Sequence, residues 1–251
     1  MLKKENITAF NQLNFEAHKR SWSFLGENLS NKNIDLETLI NKVGDFQIAI
    51  PSWALGTGGT RFGRFPLGGE PKTLEDKIRD VGLLHALNQS SGAISLHIPW
   101  DIPNNYDKIN SLANELNIKF DAVNSNTFQD QPGSENSYKF GSLSHVDKSV
   151  RLDAINHNKE VIDYGIKLGS KALTIWLADG SCFPGQQSFR GAFQRTLESL
   201  QDIYNHLPSD WKLLIEYKPY EPNFYSMVIP DWGTSYLMAT ELGEKATTLV
   251  D

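Results

Sequence analysis

The sequence predicts a parallel α/β fold, a (β/α)8 barrel of which about six of the eight strands are present. Three observations carry this. Short β-rich runs alternate with longer stretches whose apolar residues recur at helical spacing, the pattern of parallel βαβ units. The runs have two unlike faces: Leu173, Ile175 and Leu177 alternate with Thr174, Trp176 and Ala178, and Ile94, Leu96 and Ile98 alternate with Ser95, His97 and Pro99. A branched apolar face suits outer helices, and a small, polar and aromatic face suits a barrel interior opening into a pocket. Finally, no run is followed by the glycine spacing of a dinucleotide-binding loop. The segment GTGGTRFGRFP (56–66) is glycine-rich, but its spacing is wrong and no helix follows directly.

In order, residues 5–29 read as a helix with Phe10, Leu13, Ala17 and Phe24 near helical spacing. A second helix starts at Asp35, a candidate N-cap, carries Leu36, Leu39, Ile40 and Val43, and ends at Gly44. Residues 1–45 thus form an N-terminal helical segment and 46–251 the partial barrel. Strands are expected at 46–53, 93–100, 120–126, 172–179, 213–220 and 247–251, with helices at 74–87, 153–169 and 188–207. The sixth strand coincides with the end of the sequence, whereas a closed barrel has eight, so the sequence reads as the N-terminal part of a barrel.

Composition narrows the function. The 251 residues carry a formal net charge of -6, with none of the basic clustering of a nucleic-acid binder. No apolar run approaches the roughly 18 residues of a membrane span, and the basic N-terminus lacks the apolar run of a signal peptide. The single cysteine, Cys182, excludes an internal disulfide and fits a reducing compartment, so a cytoplasmic protein is expected.

Barrel active sites lie at the C-terminal ends of the strands. The residues gathered there are Trp53, His97, Trp100, Asp101, Asn124, Asn126, Trp176, Asp179, Glu216, Lys218 and Asp251. Glu216 and Lys218, two apart on one strand, point the same way, onto the inner face with Leu214. The residues alone leave two readings open: an ion pair filling the interior, or a metal ligand beside a cation that orients substrate. Asp251 is a candidate second ligand or a solvated strand end. Carboxylate oxygens suit Mn²⁺ or Mg²⁺, and an added histidine shifts the preference toward Mn²⁺ or Co²⁺. His97 is either a buried structural histidine or a substrate hydrogen-bonding and acid–base group. Trp53, Trp100 and Trp176 are either core or flat walls against the C–H faces of a sugar. His18, His85, His145, His157 and His206 read as structural or solvated, and Cys182 as inert.

The segments SWALGTGGTRFGRFP, NQSSGAISLHIPWD, FDAVNSNTFQDQP, WLADGSCFPGQQSFRGAFQR and IEYKPYEPNFYS resemble the bacterial L-rhamnose isomerases of the xylose-isomerase-like superfamily. The resemblance runs from about residue 46 onward. It implies a homotetramer of (β/α)8 barrels that binds two divalent metals per complete subunit, typically Mn²⁺, and interconverts an aldose and its ketose by hydrogen transfer between C1 and C2. By position, it makes Glu216 and Asp251 ligands of the structural metal and places Lys218 beside the substrate. His97 falls near the sugar's ring oxygen, with Trp53, Trp100, Phe128 and Trp176 as pocket walls. Phe62 is the aromatic that reaches into a neighbouring subunit's pocket. The histidines and aspartates that complete both metal sites in that family would follow Asp251, so turnover is not expected from residues 1–251 alone.

Overall fold

The structure, a computed structural model, describes residues 3–56, 68–130, 133–219 and 225–250. Phe62 and Asp251 fall outside the described residues.

Two helices come first, α1 (Lys4–Ser30) and α2 (Leu36–Gly44). Asp35 caps α2 as expected, its carboxylate accepting from Thr38 N at 2.7 Å. α2 ends at Gly44 as predicted, but the stop uses no left-handed glycine, since Asp45 follows in a right-handed conformation. The apolar residues of α1 are not a buried stripe. Phe10, Leu13 and Phe24 are 64, 80 and 69% exposed, and of the side chains described in α1 only Ile7 is buried.

The barrel strands then alternate with helices. β1 (Ala49–Pro51) runs directly into a short helix, α3 (Ser52–Leu55), and α4 (Leu74–Asn88) follows with a Thr73–Asp76 capping box. Next come β2 (Ala93–Ile98), α5 (Tyr106–Glu115), β3 (Lys119–Ser125), α6 (Lys148–Leu168) and β4 (Ala172–Ile175). A two-residue β5 (Gly180–Ser181) precedes α7 (Phe189–His206) and β6 (Lys212–Glu216). β7 (Ser226–Met227), α8 (Trp232–Leu242) and β8 (Ala246–Leu249) complete the order. The strands β1-β2-β3-β4-β6-β8 form one six-stranded sheet, parallel throughout, and β5 and β7 pair separately as an antiparallel ribbon.

The two-faced strands position the core. Ile94, Leu96 and Ile98 of β2, Leu173 and Ile175 of β4, and Leu213 and Ile215 of β6 are all at most 1% exposed and join one apolar cluster with the covering helices. Burial of these branched side chains, at roughly 1.5–3 kcal/mol each, holds the helices on that face. The intervening residues are thereby turned to the other face, and because every strand of the sheet is parallel, all their C-terminal ends share one edge. Most strands are shorter than the sequence suggests. The first ends at Pro51 because the chain coils into α3, which removes Trp53 from the strand, and the fifth of the sheet ends at Glu216, leaving Lys218 beyond it. The helix expected from 153 begins at Lys148, where Asp147 caps it.

Candidate functional site

The C-terminal edge of the sheet collects most of the expected residues. Register places His97 level with Asn124, Asn124 with Thr174, and Thr174 with Leu214, on the face opposite the apolar cluster. One residue past the paired Ile175 and Ile215, Trp176 follows just beyond the end of β4 and Glu216 closes β6.

His97 is the hub of the aromatic residues. Its ring centroid lies 5.3 Å from that of Trp53, edge-on, 4.8 Å from Trp100 and 5.4 Å from Phe128. Phe128 in turn stacks with Trp100 at 6.4 Å and meets Trp176 at 4.6 Å. Trp53 thus joins the group from α3 rather than from a strand end. Phe128 is carried there by the loop after β3, which Thr127 fixes by donating from Oγ1 to the Trp176 carbonyl at 2.7 Å. The four rings line a half-open wall: Trp100 is 37% exposed, and the other three are partly buried.

His97 itself is 6% exposed. Burial pushes its pKa down to about 4; the Asp101 carboxylate pulls it up, and His157 and Lys77 press it further down. At neutral pH the ring is therefore uncharged, and its buried Nδ1 has no hydrogen-bond partner among the described residues. Behind this wall, His157 of α6 accepts from Asn126 N at 3.1 Å, and burial lowers its pKa to about 4 against an opposing bond to the Ile98 carbonyl. His157 fastens the ends of β2 and β3 together; of the two readings open for it, structural or solvated, this is the structural one.

Glu216 is on the inner-face side, alternating with the buried Leu213 and Ile215, and it is paired with Lys218. Nζ and Oε1 are 2.7 Å apart, with the side chains 20 and 14% exposed. The ion pair left open by the sequence is thus formed, although Lys218 reaches it from beyond the strand. Among the described residues no three histidine, cysteine or carboxylate side chains converge on one point, so those residues do not make a complete metal site; Glu216 fits as a single ligand.

Two carboxylates gathered with the rim turn inward instead. Asp179 is 2% exposed and accepts from the backbone and hydroxyl groups of Ser142 and Ser144 at 2.6–2.9 Å, pinning the loop between β3 and α6. Asp101, 1% exposed, is likewise consumed internally. A groove of about 780 Å³ lined by Lys119, Lys167 and Lys171 lies at the opposite, N-terminal ends of β3 and β4, away from the aromatic rings.

No protein-family model matches the chain. Over all 251 residues it is 47% identical to a probable sugar isomerase of Rhizobium meliloti, and over 235 residues 51% identical to a probable sugar isomerase of Mesorhizobium japonicum. Its sequence relatives are probable sugar isomerases. The chain spans 58% and 54% of the length of these two sugar-isomerase relatives. Among solved structures it is similar to D-allulose 3-epimerase from Methylomonas sp., with a TM-score of 0.58 and 12% identity over 81% of this chain and 62% of that one. It is also similar to 3-keto-D-glucoside 4-epimerase from E. coli, with a TM-score of 0.57 and 10% identity over 81% and 67% of the two chains. At such identities these two share the fold alone with the chain, and that fold is the parallel α/β barrel expected from the sequence.

Proposed function

We propose that the protein is an aldose–ketose isomerase whose substrate pair is L-rhamnose and L-rhamnulose, acting in the cytoplasm as a homotetramer. The observation that carries the reading is the wall of four aromatic rings around an uncharged, buried His97, on the same sheet edge as Glu216 and Lys218. Flat rings match the C–H faces of a sugar. A neutral imidazole exchanges hydrogen bonds with a hydroxyl or ring oxygen without bringing a charge into the wall. The Lys218 ammonium orients and polarises a carbonyl or hydroxyl oxygen. The similarity to probable sugar isomerases supports the class, and the resemblance of the motifs supports the sugar.

Mn²⁺ is part of the proposal, with Glu216 and Asp251 as two ligands and Co²⁺ or Mg²⁺ as substitutes. Of these two, Glu216 is the one among the described residues, where it stands beside Lys218. Phe62 is assigned to a neighbouring subunit's pocket on the same footing.

The test is conversion of L-rhamnose to L-rhamnulose, followed chromatographically for the protein expressed from its complete reading frame, with Mn²⁺ and with chelator. Product that depends on Mn²⁺ and is lost in Lys218→Met supports the reading. Failure to convert any of a panel of aldoses and ketoses, with Mn²⁺ shown to be bound, overturns it. Quenching of tryptophan fluorescence by sugar without turnover reduces the function to sugar binding.

A further inference from the structure

One buried carboxylate touches both sides of the aromatic wall. Asp101 Oδ2 accepts from the backbone N–H of His97 at 2.8 Å and from the hydroxyl of Ser52, the residue immediately before Trp53. Its other oxygen accepts from Lys77 Nζ of α4 at 2.7 Å. Lys77, Asp101 and Ser52 are 2, 1 and 0% exposed. The Asp101 backbone N–H also donates to the His97 carbonyl at 3.0 Å, so the segment from 97 to 101 closes on itself.

We propose that Asp101, neutralised by Lys77, is a positioning residue that sets the Trp53 indole against the His97 imidazole. A charged pair this deep is weak evidence for stability, because desolvation offsets most of its attraction. What it supplies here is geometry. Through Ser52 it fixes the first turn of α3, hence the direction of Trp53. Through the His97 amide it fixes the end of β2, hence the imidazole. Lys77 supplies one of the three donors that the two carboxylate oxygens accept from in this dry site. The inference deepens the proposed sugar site and rests on it for the consequence in binding, but not for the geometry.

The experiment uses the full chain with 5-fluorotryptophan, the Trp53 ¹⁹F resonance being assigned by its loss in Trp53→Phe. Ser52→Ala deletes one hydroxyl and leaves the ion pair intact, which keeps the test alive if Asp101→Asn fails to fold. The Trp53 resonance is expected to shift or broaden in Ser52→Ala, and more so in folded Asp101→Asn, while the Trp211 resonance stays in place. Sugar affinity is expected to weaken about three- to tenfold in Ser52→Ala, since a misdirected wall lowers binding. A Trp53 resonance that stays unmoved in Ser52→Ala overturns the proposal, whatever happens to thermal stability. A wild-type chain that takes no sugar refutes the functional reading, and the resonance still decides the positioning.

Discussion

His97 and His157 are the residues for which the fold has the clearest chemical consequence. Each has its pKa lowered from 6.5 to about 4 by burial. The unfolded chain takes up these protons near pH 6.5, whereas the folded chain refuses them until about pH 4. Stability is therefore full above pH 6.5 and falls as the pH drops toward 4. The slope approaches about 1.4 kcal/mol per pH unit for each histidine well inside that window. Urea unfolding at pH 7.5, 6 and 5 checks this, with His97→Phe as the comparison that removes one contribution while keeping an aromatic ring. An identical pH slope in wild type and variant contradicts the assignment. His97 was legible in the sequence because it alternates with Ile94, Leu96 and Ile98 on a short β run, and alternation alone says which way it faces. The partners of Asp101 were not. Ser52 and Lys77 lie 49 and 24 residues away, and no local spacing signals a contact closed only by tertiary packing.

Among the elements, α6 has the tightest seat. Gly165 faces β3 and Trp211, and a Cβ there would stand 2.6 Å from Trp211 Cη2 and 3.0 Å from Val123 Cγ2. Gly165→Ala is a better helix former locally, yet the methyl group has to displace an indole that is 3% exposed. Overpacking wins, and a loss of about 1–3 kcal/mol in urea unfolding is expected; unchanged or raised stability refutes that packing. The same balance of local and tertiary signals decided which elements could be read. α4, α6 and α7 are legible because their apolar residues recur at helical spacing, and the structure buries those residues on one side. α5 and α8 are not legible from apolar spacing, although Asn105 and Asp231 cap them. In α8 the buried Ser235, Met238, Ala239 and Leu242 keep helical spacing, but Trp232, Tyr236 and Leu237 are apolar and exposed, so polarity does not mark out the buried face. α3 was unreadable for another reason. Four residues have no periodicity to detect, and their position matters only because Trp53 is among them.

Across the whole molecule, the apolar cluster that unites the sheet with its covering helices draws its buried residues from Leu74 onward. α1 and α2 stand apart from it. α2 buries no residue, and α1 packs on α2 and α4 while leaving Phe10, Leu13, Phe15 and Phe24 at least 59% exposed. A segment that removes so little apolar surface from water contributes little to folding, since burial is the main favourable term. Deleting residues 1–45 is therefore expected to change unfolding free energy by no more than about 1 kcal/mol, as for surface changes away from any core. The near-ultraviolet circular dichroism of the aromatic wall should survive, because Trp53, Trp100, Phe128 and Trp176 all lie within the retained part. Binding of a hydrophobic dye should fall, because the deletion removes an exposed apolar patch rather than uncovering one. Dye binding that rises, together with a loss above about 3 kcal/mol, means instead that the helical segment shields α4 and the edge strand β1, and that the boundary at 45 divides a single folding unit.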